Sequence, residues 1–260
     1  QWKRLAALSS AVVMAAGTLL YFPTDTLQNI SWEITASAEE TGAGTESGSQ
    51  TWNEDDGLTW TLDADGTMTI SGEGTMKSYR LDDSPATQKK DSVKKVVIKD
   101  GVPSIGDYAF WNCSNLTSIT IPDSVTSIGV SAFESCSQLA SIEIPSSVTS
   151  IGKSAFESCS QLASIEIPSS VTSIGKRAFK NCSQLASIKI PKSVTSIGDR
   201  AFDSCSGLTS ITILGGVTSI GDFAFSSCSK LASIEIPSSV KSIGNSAFES
   251  CSQLASIEIP

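Results

Sequence analysis

The sequence contains no histidine among its 260 residues. This absence excludes Ser-His-Asp catalysis, Cys-His catalysis and histidine-ligated metal sites from this stretch of chain. Positive charge is also scarce, because 18 Lys and Arg stand against 27 Asp and Glu, for a net charge of −9. Binding to a nucleic-acid backbone requires clustered Lys and Arg, so the composition argues against a nucleic-acid partner.

The acidic charge is concentrated in one short segment. Residues 39–91 contain 12 acidic and 4 basic residues, which gives a net charge of −8. Residues 92–260 contain 13 acidic and 12 basic residues, which gives −1. The acidity is therefore a property of the middle segment and says little about the long C-terminal part.

The N-terminus has the composition of an export signal. Two basic residues precede an apolar run over residues 5–22, and small residues at 36–38 precede two glutamates. This order is typical of a secretory signal peptide, and we predict one over residues 1–38 with cleavage near Ala38. The alternative is a retained membrane anchor, since a run of this length reaches the lower end of what can span a bilayer. A signal peptide predicts a secreted or cell-surface protein. Contact with a membrane is then expected only through the signal peptide, or through an anchor that is not part of the given sequence.

The C-terminal part is built from a repeat of fixed length. A phenylalanine recurs at the interval from Phe110 to Phe133, and a cysteine follows each phenylalanine three positions later. Residues 131–153 and 154–176 are identical, which indicates a recent duplication. A constant period of this kind is the signature of a repeat architecture. The seven pairs are Phe110 and Cys113, Phe133 and Cys136, Phe156 and Cys159, Phe179 and Cys182, Phe202 and Cys205, Phe225 and Cys228, and Phe248 and Cys251.

One copy, over residues 154–176, predicts the structure of the unit. Residues 162–167 end in the apolar alternation of a half-buried strand, which Pro168 stops. Residues 171–175 form a second, weaker extended segment, and residues 155–162 have the spacing of a short helical or 3₁₀ turn. So short a unit cannot bury its apolar side chains alone, so the copies are expected to stack into a solenoid in which equivalent side chains form continuous columns.

The repeat resembles a known family. Leu162-x-x-Ile165-x-Ile167 is similar to the strand motif of leucine-rich repeats, and the fuller pattern Ile-Gly-x-x-Ala-Phe-x-x-Cys-x-x-Leu-x-x-Ile-x-Ile-Pro resembles the BspA-like subclass of bacterial surface proteins. The resemblance covers residues 92–260 and implies adhesion or partner binding. The pattern departs from ordinary leucine-rich repeats at the corner, where Ser170 stands in place of the asparagine ladder. The predicted fold is a β-rich α/β solenoid, a leucine-rich-repeat superhelix preceded by a β-hairpin cap and expected to continue beyond Pro260.

The segment before the repeats is predicted to cap them. Residues 39–51 are rich in Gly, Ser, Thr and Glu, which indicates a flexible linker. Within the predicted cap and polar loop, residues 52–91, two alternating runs flank Asp63-Ala64-Asp65-Gly66 and indicate a β-hairpin. This hairpin is expected to cover the first open edge of the solenoid. Residues 78–90 are polar, contain a proline and are predicted to form a loop.

Three patterns invite a chemical interpretation, and each has a simpler structural one. The cysteine column suggests disulfides or a metal site, but equivalent side chains point the same way and are better explained as buried thiols. Glu143 and Glu166 lie about one strand spacing apart, as in a retaining glycosidase, but occupy outward positions of a sheet. The Asp63-x-Asp65-Gly66 sequence lacks the further ligands of a calcium loop. We therefore predict no catalytic, cofactor-binding or metal-binding residue.

The exposed surface of the repeats is the candidate binding site. Its members are positions that change between copies, whereas the inward columns hardly vary. The first hypothesis is an exported, non-catalytic binding or adhesion protein that contacts proteins or other macromolecules. The alternative is a targeting or substrate-docking arm of a larger exported enzyme, and a third possibility is a spacer. The candidate residues are Glu143, Glu166, Lys189, Thr212, Glu235, Glu258, Lys176, Arg177 and Phe223.

Overall fold

The computed structural model describes residues 10–15, 18–23 and 49–259. The chain divides into two units, residues 1–46 and 47–260. In the first unit, β1 (Ser10–Ala15) pairs antiparallel with β2 (Thr18–Pro23). These strands lie in the predicted signal peptide, and the predicted cleavage site near Ala38 lies outside the described residues. Across the described ranges, the structure contains no helix that is both long enough and apolar enough to cross a membrane.

A five-stranded sheet begins the second unit. Strands β3 (Gln50–Asn53), β4 (Leu58–Leu62) and β5 (Thr67–Gly72) are antiparallel, and β5 then pairs in parallel with β6 (Lys95–Ile98). Because β6 lies at the start of the region that resembles the repeat family, residues 92–260, the hairpin hydrogen-bonds directly to the edge of the repeat stack. The predicted linker extends too far, since Gln50 and Thr51 are already in β3.

The segment predicted as a polar loop contains a buried helical turn, α1 (Pro85–Gln88). Ser84 caps it, because its Oγ accepts from the Thr87 N–H at 3.0 Å. The same hydroxyl donates to the Ala109 carbonyl at 2.6 Å, and Ser84 is fully buried. The loop prediction was wrong here because the polar serine satisfies backbone groups inside the protein instead of facing water.

Each repeat contributes two short strands. The first set carries the Ser-Ile pair after the recurring leucine, and its members hydrogen-bond mainly in pairs. The second set forms one continuous seven-stranded parallel sheet in chain order. The first set comprises β8 (Ser118–Thr120), β10 (Ser141–Ile142), β12 (Ser164–Ile165), β14 (Ser187–Ile190), β16 (Ser210–Ile213), β18 (Ser233–Glu235) and β20 (Ser256–Glu258). The second comprises β7 (Ser104–Ile105), β9 (Ser127–Ile128), β11 (Ser150–Ile151), β13 (Ser173–Ile174), β15 (Ser196–Ile197), β17 (Ser219–Ile220) and β19 (Ser242–Ile243).

The segment predicted to be the weaker strand therefore forms the more continuous sheet. Two local features explain the reversal. Thr172 donates both its N–H and its hydroxyl to the carbonyl of Thr149 in the preceding repeat, at 3.1 and 3.4 Å. Gly175 allows the backbones of neighbouring repeats to approach each other closely, because a Cβ at this position would lie 2.7 Å from the carbonyl carbon of Gly152 in the preceding repeat. At the first strand the equivalent residue is an alanine in five of seven copies, and only Thr117 and Thr209 donate a hydroxyl in the same way. In most copies a proline, which cannot donate to a ladder, follows this strand.

The predicted helical or 3₁₀ turn of each repeat is a series of hydrogen-bonded turns instead. Ser154 and Ser158 have positive φ values of 54° and 62°, which interrupt a right-handed helix. Their N–H groups donate to carbonyls of the next repeat at 2.8 and 2.7 Å, and so does the Phe156 N–H at 2.8 Å. Backbone donors that a helix would use internally thus join one repeat to the next, and α1 is the one helix among the described residues.

The predicted phenylalanine spine is confirmed. Neighbouring rings from Phe110 to Phe248 stack with centroids 5.3–5.4 Å apart, and all but Phe248 are fully buried. Trp60 of β4 continues the spine at the N-terminal end, 5.6 Å from the Phe110 ring. The repeat units therefore bury their apolar side chains against one another, as a solenoid requires.

The cysteines form a second internal ladder. All seven are free, and six are buried. From Cys136 onward, each thiol donates to the phenylalanine carbonyl of the preceding repeat, over 3.0–3.2 Å. Cys113 has no such partner in a preceding repeat and contacts the Ala86 carbonyl of α1 at 3.7 Å. The thiols are thus both apolar fillers and hydrogen-bond donors.

Serine takes the place of the asparagine ladder at the corner of the repeat. The Ser170 hydroxyl donates to the Val148 carbonyl of the preceding repeat at 2.5 Å, and Ser147 donates to Val125 at 2.6 Å. At this corner, a serine hydroxyl donates to the backbone carbonyl of the preceding repeat, where ordinary leucine-rich repeats have an asparagine.

Candidate functional site

The first candidate surface is the strand-face column, the outward position of the first strand set. In β14 the pattern of exposure alternates, so that Lys189 faces solvent between buried Ile188 and Ile190. Lys189 is in register with Thr212, and Glu235 with Glu258. Strand spacing places successive members about 4.8 Å apart. The full column is Thr120, Glu143, Glu166, Lys189, Thr212, Glu235 and Glu258, and every member is exposed.

The strand-face column has a charge pattern that differs along its length. Two glutamates precede Lys189 and two follow Thr212, and within the described residues none of these side chains forms a salt bridge. Shallow depressions of about 610 and 600 Å³ accompany the two glutamate pairs. One is lined by Glu235 and Glu258, the other by Glu143 and Glu166. The carboxylates are thus set in open grooves beside isoleucine and proline side chains.

The second candidate surface lies on the turn face, the side formed by the turns between each Ile-Gly corner and the next leucine. Lys176 pairs with Asp199 at 2.7 Å, and this contact lowers the pKa of the Asp199 carboxyl and raises that of Lys176. Asp203 is buried and accepts from Arg200 at 3.2 Å, with Lys180 at 3.8 Å. The turn face therefore holds a network of charges on neighbouring repeats.

Arg200 joins this network to an aromatic ring. Its guanidinium carbon lies 4.3 Å from the centroid of the Phe223 ring, a cation–π contact. Arg177, one repeat earlier at the equivalent position, is exposed. The structure thus brings Arg177 and Phe223 onto one face, apart from the strand-face column.

Sequence reasoning missed the charge network around Arg200. It listed Lys176 as a candidate but not the acidic partner of this residue. The repeat period held the signal, because Lys176 and Asp199, and likewise Lys180 and Asp203, are one full period apart in the chain. Equivalent positions on neighbouring repeats are direct neighbours in a parallel stack, so opposite charges at this offset predict contact.

The aromatic residues of the first repeat have a different environment. Lys90, just after α1, lies 5.7 Å from the centroid of the Trp111 ring. Tyr108 is partly buried and packs against the core. The Trp111 ring is therefore contacted from the α1 segment, and Tyr108 is part of the packing of the first repeat.

The Asp63–Gly66 turn and the cysteine column, which invited a chemical interpretation, have structural roles. The Asp63 carboxylate accepts from the Asp65 and Thr67 N–H groups at 3.0 and 2.8 Å, which is the arrangement of a turn. Among the described residues no group of three or more His, Cys, Asp or Glu is placed to hold a metal ion. Burial raises the pKa of the Cys159 thiol to about 12, which keeps it protonated and unreactive at neutral pH.

Comparison with known proteins agrees with the repeat geometry. A family model described as a BspA type leucine-rich repeat region, in six copies, matches residues 85–206 and 174–260. A crystal structure of a leucine-rich repeat protein from Bacteroides ovatus is similar, with 34% identity and a TM-score of 0.63, over 79% of this chain and 52% of that one. This chain therefore spans about half the length of the Bacteroides protein. No curated protein matched.

Two further solved structures share the fold. A leucine-rich repeat protein from Eubacterium ventriosum is 26% identical with a TM-score of 0.52, over 81% of this chain and 72% of that one. A leucine-rich repeat protein of T. pallidum is 24% identical with a TM-score of 0.54, over 77% and 89%, and shows likeness of fold. With the family model covering well over half of its length, this chain belongs to the BspA-type leucine-rich-repeat family.

Proposed function

We propose that this chain is an exported, non-catalytic binding protein that contacts a protein or another macromolecule through the strand-face column. The observation that carries the proposal is the contrast between the two sides of each strand. Inward positions are occupied by the same isoleucine in copy after copy, whereas the outward position changes among Thr, Glu and Lys. Core packing does not constrain an exposed side chain, so the variation adapts a surface while the scaffold stays the same.

The regular spacing supports a multivalent mode of contact. Each repeat presents one outward side chain of the strand-face column, about 4.8 Å from the next, beside an outward serine that does not vary. A ligand that engages one repeat brings its neighbouring groups close to the next repeat, which raises the effective concentration for each further contact. Affinity is therefore expected to increase with the number of repeats engaged rather than to depend on one deep pocket.

Export is the second part of the proposal, with a secreted or cell-surface location. It rests on the basic and apolar N-terminal sequence and on the resemblance to BspA-like surface proteins. Expression of the chain in a bacterium, followed by fractionation and N-terminal sequencing, tests it. Recovery outside the cytoplasm with a new N-terminus near residue 39 is the expected result, and full-length protein confined to the cytoplasm would contradict export.

The binding proposal is tested by reversing charge on one face at a time. The strand-face variant E143K/E166K/E235K is compared with E134K/E157K/E249K, which carries the same three reversals on the turn face. Each variant is used as bait in extracts of host cells and bacterial envelopes, after thermal melting has verified its fold. A ligand retained by the wild type and the turn-face variant but lost by the strand-face variant is expected. Equal retention by both variants would contradict the assignment of the strand face.

A further inference from the structure

Two backbone positions on the turn face are left-handed in every repeat, and the first of them carries side chains of very different size. The residue two places after the glycine of the corner has a left-handed backbone, with φ between 53° and 58°. Three copies place a serine there, whereas three consecutive elements of the series carry long or aromatic side chains. Bulky residues are rare in this conformation, and such outliers tend to mark functional positions. The series is Tyr108, Ser131, Ser154, Arg177, Arg200, Phe223 and Ser246.

Arg177, Arg200 and Phe223, which we call the turn-face strip, are neighbours along the stack. Arg177 donates its N–H to the Asp199 carbonyl, and Arg200 donates to that of Asp222, so each residue is bonded to the following repeat. Adjacent arginines on parallel rungs repel each other. Two like charges are nevertheless kept side by side, where serine suffices elsewhere.

The middle residue of the strip is held in place. The Arg200 Nη1 donates to Asp203, which is buried, and the guanidinium lies over the Phe223 ring. Asp203 is fixed in turn by the Ser204 hydroxyl at 3.1 Å. Arg200 has five N–H donors, so this contact leaves most of them for a ligand. A side chain that is already ordered loses less entropy on binding.

The exposed cations in the strip and beside it favour an anionic partner. Arg177 is exposed and, among the described residues, has no acidic partner, and the same holds for Lys153 one repeat earlier. This unneutralised positive charge belongs to a protein with a net charge of −9. A cation without an acidic partner attracts a negatively charged ligand to this part of the surface.

From these contacts we infer that the turn-face strip binds an acidic segment of a partner protein. Carboxylates pair with Arg177 and Arg200, and an aliphatic side chain packs on Phe223. Arginine beside an aromatic ring is the composition of protein-interaction hot spots, whereas lysine, glutamate and serine, which cover most of this solenoid, are depleted there. The apolar ring beside the charges favours a polypeptide over a sulfated glycan. This surface is separate from the strand-face column and does not depend on it.

The repeats themselves provide conservative variants for a test. R177S, R200S and F223S each install the serine found at the equivalent position of sister repeats, so folding is expected to be retained. K192S is the matched control, since it removes one positive charge away from the strip and also restores a serine of the sister repeats. The probe is a fluorescein-labelled peptide of six glutamates flanking one leucine, titrated with the full chain and followed by fluorescence anisotropy.

We expect the wild type to bind the glutamate peptide. A peptide with Gln in place of Glu and a peptide with Ser in place of Leu are each expected to bind more weakly. R177S, R200S and F223S are each expected to weaken binding about tenfold or more, with K192S unchanged. Failure of the wild type to bind, an equal loss in K192S, or binding of a heparin decasaccharide in place of the peptide would overturn the inference. Any of these results would leave the proposed function of the strand-face column unaffected, because the variant E143K/E166K/E235K tests that column and leaves the turn-face strip intact.

Discussion

Replacing Phe156 by alanine is the most direct test of how the repeats stabilise one another. Its ring is fully buried and stacks on Phe133 and Phe179, at 5.4 Å on each side. Removal of a buried ring costs about 3–5 kcal/mol of the free energy of unfolding. Part of this cost is the loss of two aromatic contacts, worth about 0.5–1.5 kcal/mol each. Among the described residues Phe248 has one stacking neighbour and is partly exposed, so F248A is expected to cost about half as much when the measurement is made on this 260-residue chain.

Urea unfolding of the full chain, followed by circular dichroism and tryptophan fluorescence, measures the difference between the two variants. With a slope of about 2–3 kcal/mol per M, F156A is expected to lower the midpoint by roughly 1–2 M and F248A by less. Coincident transitions for the two probes would show that the stack unfolds as one unit. Equal losses of stability from the two substitutions, or no loss from F156A, would refute the continuous spine. A ring that packed only within its own repeat would contribute the same stability at the centre of the stack as at its end.

Other predictions concern the ladders and the N-terminal cap. At pH 8 iodoacetamide is expected to modify Cys251 first, since it is the one cysteine that is only partly buried, while denaturation releases all seven thiols; early reaction at other cysteines would contradict the ladder. Burial raises the pKa of Cys159 to about 12, so unfolded thiols lose their protons first and stability is expected to fall as pH rises from about 9 to 12; a flat profile would argue against this. S170A is expected to cost about 1 kcal/mol in urea unfolding, whereas S193A, whose hydroxyl is buried without a partner among the described residues, is expected to cost nothing. Deletion of residues 52–72 is expected to cause self-association in sedimentation experiments by exposing a strand edge, and a monomer would remove the capping role.

Much of the architecture could be predicted from the spacing of a few residue types. Phe156, Cys159 and Leu162 identify inward columns because any side chain that recurs at a fixed interval in a stack meets its own copies. The turn between them was predicted less well. Apolar groups at every third position are shared by helices and by compact turns, and the left-handed backbone of Ser154 carries no distinctive residue such as glycine to reveal it.

The candidate surfaces were predictable to different depths. Exposure of Glu143 and Lys189 followed from strand alternation alone. The shared face of Arg177 and Phe223 also followed, because the two residues occupy equivalent positions two repeats apart. The contacts of Arg200 with Asp203 and with the Phe223 ring could not be predicted, because they depend on the directions of side chains and the repeat period does not fix those directions.

The amino-acid sequence by itself determined the repeat unit, its inward columns and its family, because those depend on which residues recur and at what interval. Tertiary structure alone decided where each polar group finds its partner. The Cys159 thiol meets the Phe133 carbonyl, the Ser170 hydroxyl meets the Val148 carbonyl, and the turn N–H groups reach the next repeat. These bonds join atoms of different repeats, far apart in the chain, so they exist only once the rungs have stacked in register and their directions are set.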